Sequence, residues 1–305
     1  MSVNNNIYLG KGNISFDKNL GAYYQDIAPA IFHFENNSLG NFDKNGIPFV
    51  IEKDRECYSA GYVIQYALIQ HELILQNNNV IDRKIIMQNC LRWLKNNLAV
   101  FHDSLVWRNE KNTQYKLKKG WVSAMNQGQG ISLFLRASQL FNETEYVALA
   151  EKLFLFFKYD YSAGGATRTD EMGYIWLEEY PSNPASYVLN GFVYALLGIL
   201  DLYRVTQNKD ALKLYEECLK TIEHNIYKYD RFYWSSYDQL KKELVSFYYQ
   251  KNVHIPLMEI LFGLTKKDIF NKLSIKWTKQ LNSKFFLCLV QIMYRVQPQL
   301  RKLQK

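Results

Sequence analysis

The sequence lacks the patterns that mark metal-binding and disulfide-rich proteins. Its four cysteines, Cys57, Cys90, Cys218 and Cys288, show no CxxC spacing and stand far apart along the chain. Such isolated thiols are usually small buried hydrophobic groups, so neither a zinc site nor a disulfide framework is expected. The histidines also lack the spacing of metal ligands. The sequence therefore predicts no bound metal.

A membrane span and a targeting signal are missing as well. The longest C-terminal apolar stretch, FFLCLVQIMY, has about ten residues, whereas a bilayer-spanning helix needs about 20. The first residues, MSVNNNIYLGKGN, lack the apolar stretch of a signal peptide, which favours a cytoplasmic location. Residues 283–305 are expected to form a terminal helix docked on the protein. The alternative is a basic amphipathic anchor that lies peripherally on the inner membrane.

The net charge of +8 favours an anionic partner without identifying it. The chain has no block of five or six Lys and Arg, no zinc-finger spacing and no basic helix interleaved with aromatics, so nucleic acid is not expected. The 23 Tyr and 18 Phe exceed what packing usually requires. Tyrosine and tryptophan line carbohydrate grooves with a flat apolar face and a polar rim, although an AT-rich genome would also enrich tyrosine. An anionic sugar polymer satisfies both features.

Helical periodicity begins after residue 50 and recurs in pairs. Each pair is a long apolar helix followed by a more amphipathic one, and the pairs repeat about every sixty residues. Hairpins of this kind bury their apolar faces only when they stack side by side. We therefore predict a mainly α fold, an incomplete α/α toroid of about four helical hairpins. The predicted pairs span residues 59–75 with 81–98, 123–141 with 143–159, 184–206 with 209–229, and 253–265 with 266–281.

Three regions are predicted to make up the chain. Residues 1–50 carry Gly, Asn and Asp punctuation and indicate an irregular segment with short strands. Residues 51–282 form the helical domain, with a connection at Asn142, the expected N-cap of the fourth helix. Residues 283–305 form the tail. Within the domain, residues 166–180 predict a β-hairpin with its turn near residues 170–173, and residues 229–238 form a loop rich in Tyr, Trp and Ser.

Several stretches resemble one known family when taken in order. The most specific is WLEEYPSNPASYVLNGFVYALLGILDLY, residues 176–203, with its EEYP and two spaced prolines. The others are IQYAL (64–68), GWVSAMNQGQGISLFLRA (120–137), YDRFYWSSYD (229–238) and FYYQKNVHI (247–255). Over roughly residues 20–281 the chain resembles the helical C-terminal part of the D-glucuronyl C5-epimerases. Their long N-terminal β-rich region has no counterpart here, as expected of a minimal bacterial form.

The resemblance implies epimerisation of hexuronate units in a heparosan-like polysaccharide, converting D-glucuronate to L-iduronate. The reaction removes the C5 proton and returns one to the opposite face, which requires a base, an acid and donors for the carboxylate, without a cofactor. Glu179 and Tyr237 match the family's catalytic carboxylate and tyrosine. Glu178 is expected to point away from Glu179 because adjacent strand residues face opposite sides. Predicted substrate-binding residues are Tyr180, Asn190, Gln127, Gln129, Arg136, Arg168, Trp234, Lys241 and His254.

Two positions depart from the family pattern. Gln250 stands where a second catalytic tyrosine is expected, and Tyr249 lies one residue earlier. A one-residue insertion in the loop before the helix would restore Tyr249 to the site, so Tyr249 is the third predicted catalytic residue. Leu240 replaces an arginine, with Lys241 next to it. A shifted lysine would then neutralise the substrate carboxylate.

Two alternatives remain open at this point. A uronate polysaccharide lyase would use the same proton abstraction but expel the 4-linked sugar. An inactive glycan-binding relative would explain the displaced tyrosine. The sequence also leaves open whether the protein forms a homodimer and which polysaccharide it uses.

Overall fold

The protein is mainly helical, with small antiparallel sheets between the helices. A computed structural model describes residues 7–36 and 41–303, with side chains up to residue 296. Helices form where the apolar residues repeat at helical spacing, so the predicted mainly α class is confirmed. None of the helices in these ranges combines the length and apolar character needed to cross a bilayer.

Short elements form the N-terminal part. They are a 3-10 turn at Ala28–Ala30, helix α1 at Ile31–Glu35, and strands β1 (Asn41–Phe42), β2 (Pro48–Glu52) and β3 (Arg55–Cys57) in one antiparallel sheet. β1 and the beginning of β2 lie within residues 1–50, whereas β3 follows this segment. Tyr23 and Tyr24 are nevertheless almost fully buried in the same core as the helical hairpins. The residues before position 50 therefore pack into the same core as the helices that follow. The domain boundary at residue 50 stays a prediction.

The remaining helices follow in the predicted pairs. α2 packs on α3, α4 on α5, α6 on α7 and α9 on α10, and α11 follows at the C-terminus. Their bounds are α2 Ala60–Leu75, α3 Val80–Asn96, α4 Ala124–Phe141, α5 Glu145–Phe154, α6 Leu189–Thr206, α7 Lys209–Asn225, α8 Phe247–Tyr249, α9 Ile255–Thr265, α10 Asp268–Leu281 and α11 Lys284–Leu303.

Two antiparallel β-hairpins and several short turns connect these helices. β6 pairs with β7 in the predicted hairpin, whose turn holds Gly173 at a φ of 85°, a left-handed conformation that favours glycine. The strands are β4 Ala99–Phe101, β5 Ser104–Val106, β6 Thr167–Thr169 and β7 Ile175–Leu177. Single 3-10 turns lie at Leu155–Lys158, Tyr161–Ala163 and Ile226–Tyr229, and a π-helical turn lies at Gln250–His254.

Two helix boundaries differ from the sequence expectation. Asn142 ends α4 in a left-handed conformation, and the N-cap of α5 is Thr144. The N-cap prediction for Asn142 was therefore wrong, because Asn also tolerates the left-handed C-terminal position. Helix α6 starts at Leu189, after Pro184 and an extended stretch. That later start brings the beginning of α6 next to the EEYP segment.

The first helices of three consecutive hairpins lie side by side in the order α2, α4, α6. The tightest crossing joins α4 and α6, where a Cβ on Gly198 would lie 1.9 Å from the carbonyl oxygen of Gly128. A Cβ on Gly128 would in turn lie 2.3 Å from the Cα of Ala195. The two backbones therefore touch. These contacts establish the stacking of hairpins but not a closed or curved toroid.

The tail helix α11 docks on the protein, as expected. Val290 is fully buried among Trp234, Leu244 and Val245, and the Tyr294 hydroxyl donates to the carbonyl oxygen of Val245. This contact covers one face of α11.

We expect Gly198→Ala to lower the free energy of unfolding by about 3 kcal/mol, because the added methyl group meets backbone that cannot move aside. Gly263→Ala in α9 is the matched control, since the atoms nearest to its new methyl belong to the side chain of Ile14, which can move aside, and not to backbone. Chemical denaturation followed by circular dichroism measures both. Equal stabilities of the two variants would contradict the backbone contact.

Candidate functional site

Two neighbouring clefts open where the first helices begin. The tyrosine cleft, about 250 Å³, is lined by Gln114, Tyr115, Tyr180, Tyr237, Glu243, Leu244, Val245, Ser246 and Tyr249. The amide cleft, about 270 Å³, is lined by Ser59, Gly61, Tyr62, Gln65, Asn109, Asn112, Trp121, Ser123, Met125, Asn126, Glu179 and Tyr180. Tyr180 lines both clefts, so they lie next to each other and together make up the candidate site.

The starts of α2, α4 and α6 all reach this site. Ser59 precedes α2, Ser123 caps α4 by accepting a hydrogen bond from the Asn126 amide, and Asn190 lies in the first turn of α6. Helix starts carry unpaired N–H groups and partial positive charge. The site is therefore placed where negative charge on a bound molecule is favoured.

The EEYP segment is anchored by its own backbone. The Glu178 amide donates to the Ala166 carbonyl at 2.7 Å, and its carbonyl accepts from the Ala124 amide at 3.0 Å. The Glu178 side chain turns away from the clefts, where it accepts from the Ser186 hydroxyl at 2.8 Å and the Tyr187 amide at 3.0 Å. Glu178 and Glu179 therefore face different surroundings, although both lie just beyond strand β7 rather than within it.

Glu179 lies at the bottom of the site, only 4% exposed. Its Oε1 accepts from the Tyr237 hydroxyl at 3.4 Å. Burial raises the pKa of Glu179 to about 7, while hydrogen bonding from Tyr180, Tyr237 and Asn190 works in the opposite direction. A carboxyl with that pKa can both accept and release a proton near neutrality.

Gly191 provides the space for this carboxylate. A Cβ at that position would lie 2.3 Å from Oε2 of Glu179, so α6 can pass under the side chain only with glycine there. Oε2 of Glu179 and Oδ1 of Asn190 have no hydrogen-bond partner within the described part of the chain. Buried polar atoms are normally paired, so these two oxygens are available to a bound molecule.

Tyr237 is held by backbone contacts on both sides. Its amide donates to the Glu243 carbonyl at 2.8 Å, and its carbonyl accepts from the Leu189 amide at the start of α6 at 3.2 Å. Its ring meets that of Tyr249 edge-on at 5.6 Å. Burial, followed by the negative charge of Glu179, raises the pKa of both tyrosines well above the ordinary value. Both hydroxyls are therefore protonated near neutral pH and can donate.

The π-helical turn explains how Tyr249 reaches the site. Helix α8 continues through Gln250–His254 into α9, and the Ile255 amide donates to the Gln250 carbonyl five residues earlier. A π turn contains one more residue than an α turn, and such insertions are frequent at functional sites. The π turn accommodates one additional residue within the helix itself, and the insertion expected in the loop before the helix stays a prediction. Tyr249 faces Tyr237, while Gln250 turns inward to the Ser235 hydroxyl.

His254 lies behind the tyrosines. It is fully buried, with Nδ1 2.7 Å from the Ser235 hydroxyl, and its ring packs on Tyr249 at 5.3 Å. Burial lowers the pKa of His254 to about 3, so the ring is neutral at physiological pH. This placement favours support of Tyr249 over contact with a substrate.

Three more of the predicted site residues lie at or beside the clefts. The Tyr180 ring stacks on the Tyr115 ring, with their centroids 4.4 Å apart. The Lys241 amine lies over the same Tyr115 ring, 4.4 Å from its centroid. The Gln129 side chain accepts from Gln65, which lines the amide cleft, at 3.4 Å. Their roles in binding remain predictions.

Four predicted residues lie away from the clefts, with structural partners of their own. Gln127 is buried and donates to the carbonyl of Leu105, and the buried Trp234 indole donates to that of Val245. For both, the geometry does not support the predicted substrate contact.

The two predicted arginines are also engaged elsewhere. Arg136 is 1% exposed and pairs with Asp201 at 2.5 Å. Arg168 donates to the Ser182 carbonyl at 2.6 Å and lies 3.4 Å from Glu178. Each arginine is engaged with a buried carboxyl group of the protein, so the structure offers no support for a contact with uronate.

Residues 109–121, which line part of both clefts, were not among the predicted site residues. Tyr115 donates to Asp238 at 2.6 Å, and Asn109, Asn112 and Trp121 line the amide cleft. The signal that could have found them is the polar and aromatic composition of residues 107–121, the same criterion that singled out residues 229–238. Within the described ranges, no three His, Cys, Asp or Glu side chains cluster as metal ligands would.

Comparison with known proteins matches this region to one family. The family model for the D-glucuronyl C5-epimerase C-terminus matches residues 95–279, which include Glu179, Tyr237 and Tyr249. A D-glucuronyl C5-epimerase of Caenorhabditis elegans is 33% identical over 178 residues, 53% of this chain and 29% of that protein. An uncharacterized protein of Methanocaldococcus jannaschii is 34% identical over 177 residues, 57% of each chain. The match thus spans well under two thirds of either relative.

The buried carboxyl of Glu179 should make stability depend on pH. Its pKa is about 7 in the folded protein against an ordinary 4.5, so the folded state binds more protons between these values. Stability therefore falls as pH rises from about 4.5 past 7. Glu179→Gln should remove this loss. Its free energy of unfolding should exceed that of the parent by up to about 3 kcal/mol at pH 8 and be similar to it at pH 5.

Urea unfolding at the two pH values measures the effect. Glu171→Gln, at an exposed carboxylate in the turn of the β6–β7 hairpin, is the matched control and should change stability at neither pH. If Glu179→Gln gained nothing between pH 5 and pH 8, the raised pKa would be refuted.

Proposed function

Because the chain belongs to the D-glucuronyl C5-epimerase family, we propose that it inverts C5 of hexuronate units in an anionic polysaccharide, turning D-glucuronate into L-iduronate. The observation that carries the proposal is the meeting of Glu179, Tyr237 and Tyr249 at one site, with Tyr237 and Tyr249 in ring contact. A heparosan-like chain is the proposed substrate. We also propose that the hairpins curve into an incomplete α/α toroid, with both clefts at the end where α2, α4 and α6 begin.

Proton removal is assigned to Glu179 acting with Tyr237. The C5 proton of a uronate is weakly acidic because the carbanion delocalises into the carboxylate. Ionised Glu179 accepts this proton through the Tyr237 hydroxyl, which already donates to it. The phenol passes its own proton to Glu179 as it takes the one from C5, so no free phenolate has to persist.

Reprotonation is assigned to Tyr249. Its hydroxyl stays protonated because burial and the charge of Glu179 raise its pKa. Delivery of that proton to the opposite face of C5 completes the inversion and leaves Tyr249 as a phenolate. The proton held by Glu179 then passes through the Tyr237 hydroxyl to Tyr249, which restores all three groups. The adjacent helix starts, the Asn190 amide and Lys241 stabilise the charge on the uronate carboxylate during the step.

The test is hydrogen exchange at C5. The protein is incubated with heparosan and other glucuronate polymers in deuterated water, and C5 and new iduronate signals are followed by NMR. We expect deuterium at C5, reduced at least about 100-fold in Glu179→Gln, Tyr237→Phe and Tyr249→Phe.

Tyr248→Phe is the matched control, because its hydroxyl contacts His33 on the far side of the helix. It should exchange like the parent. An unsaturated sugar absorbing in the ultraviolet would instead establish a lyase. Binding without exchange on every polymer tested would identify a glycan-binding relative and refute the epimerase assignment.

The pH profile gives an independent prediction. Since Glu179 must be ionised to accept a proton and its pKa is raised to about 7, kcat/KM should rise with pH and reach half its maximum near 7. Initial rates of C5 tritium or deuterium exchange between pH 5 and 9 measure it. A profile already flat from pH 5 upward would remove Glu179 from the role of proton acceptor.

A further inference from the structure

The excess of positive over negative charge lies at the C-terminal end of the sequence. Residues 269–305 contain eight Lys or Arg and no Asp or Glu, which equals the net charge of +8 of the whole chain. The preceding 268 residues therefore contain as many Lys and Arg as Asp and Glu and carry no net charge. Such asymmetry indicates a basic surface for an anionic partner. The described part of this segment is α10 after Asp268, together with α11.

Helix α11 carries more apolar surface than the protein covers. Val290, Tyr294 and Met293 face the protein, whereas Phe285 is 69% exposed and Ile292 is 50% exposed. Seven residues separate Phe285 from Ile292, so both lie on one face of the helix, with Leu289 between them. An uncovered apolar stripe thus runs along two turns, next to the covered face.

Lysines surround this stripe on the side of α10. A cleft of about 500 Å³ between α10, α11 and the 229–238 loop has Phe232, Ile275 and Phe286 as its apolar lining. The Phe232 ring, 80% exposed, lies 6.5 Å from that of Phe286, which in turn contacts Phe285 at 5.3 Å. The other lining residues are Lys272, Lys276, Lys279 and Gln280, so no described residue of the lining carries a carboxylate.

An acidic group, Asp230, lies beside this surface. Asp230 accepts from Lys276 at 2.6 Å and from the Trp277 indole at 2.9 Å. It neutralises one lysine and leaves Lys272 and Lys279 exposed on the outer face of α10. Lys284 and Arg295 are exposed on the polar side of α11. Positive charge and exposed aromatic groups therefore share one surface, the α10–α11 face.

We propose that the α10–α11 face docks the protein on an anionic phospholipid bilayer. Phe232, Phe285 and Ile292 enter the boundary between headgroups and acyl chains, and the lysines contact the lipid phosphates. An amphipathic helix with Phe and Leu on one side and Lys and Arg beside them binds membranes in this way. The attachment is peripheral and independent of the catalytic assignment.

Two other occupants fit the surface less well. A soluble polyanion would pair with the lysines but leave the exposed Phe232, Phe285 and Ile292 in water. A second copy in a two-fold contact would bring one basic face against another, since such an interface pairs the same patch on both subunits. Lipid satisfies the apolar stripe and the charge together.

Vesicle sedimentation tests the proposal with the full chain. We expect binding to vesicles of phosphatidylcholine with about one third phosphatidylglycerol, weak binding to phosphatidylcholine alone, and release by high salt. Phe285→Ser with Ile292→Ser should weaken binding at least about tenfold, because two apolar side chains no longer enter the bilayer. Lys272→Gln with Lys279→Gln should also weaken it about tenfold or more.

Matched double variants control for general effects on surface and charge. Ile81→Ser with Ile85→Ser removes two exposed apolar side chains from α3, and Lys213→Gln with Lys220→Gln removes two exposed lysines from α7. Both should sediment like the parent. Thermal unfolding verifies that all variants are folded.

A site-specific probe reports the same contact directly. Cys288 is the most exposed of the four cysteines and lies on α11 one turn after Phe285. A polarity-sensitive fluorophore on Cys288, with Cys57→Ser to avoid double labelling, should shift to the blue with anionic vesicles. An unshifted spectrum would overturn the proposal, and so would equal vesicle binding by the α10–α11 variants and the parent. The proposal would also fail if the protein formed a dimer and Phe285→Ser with Ile292→Ser abolished that dimer in place of lipid binding. Heparosan binding through Lys272 and Lys279 without vesicle binding would do the same.

Discussion

The backbone contact between α4 and α6 is the constraint on which the candidate site depends. Gly128 and Gly198 let the two helices touch, so their first turns lie side by side. From α4, the Ala124 amide holds the carbonyl of Glu178, and from α6, Gly191 lies directly under the carboxylate of Glu179. A larger separation would break both contacts at once. The position of Glu179 is therefore a consequence of how closely two helices pack.

The second half of the same helix pair carries a buried charge cluster. Asp201 of α6 accepts from Arg136 of α4 and lies 3.2 Å from Arg204, and the Tyr24 hydroxyl also donates to it. Removing Asp201 would leave two buried arginines without a carboxylate partner, which is far more costly than the ion pairs are favourable. The cluster thus fixes the distance and rotation of α4 and α6 beyond what the glycine contact imposes. It also ties in the N-terminal segment, which explains why Tyr23 and Tyr24 belong to the main core.

Much of the fold followed from periodicity, whereas the site did so only in part. Apolar spacing predicted the helical hairpins, and the turn residues near 170–173 predicted the β6–β7 hairpin, because both depend on local sequence. The role of Arg136 could not be read in the same way, because its partner Asp201 lies 65 residues away on another helix. The π turn at Gln250–His254 was missed for a different reason: it spans only five residues, too few to show a helical repeat of their own. It alters only which neighbour, Tyr249 or Gln250, faces the cleft.

The net positive charge of the chain does not come from the candidate site. The described lining of the two clefts contains Glu179 and Glu243 but no Lys or Arg, and Lys241 is held beside them over Tyr115. A uronate in the site would therefore be recognised mainly by amides, hydroxyls and helix starts. Its own negative charge would push the pKa of Glu179 further up unless these donors and Lys241 offset it. The excess positive charge, which first pointed to a polyanionic substrate, lies instead in residues 269–305. Catalytic recognition and bulk electrostatic attraction are thus assigned to different sets of residues.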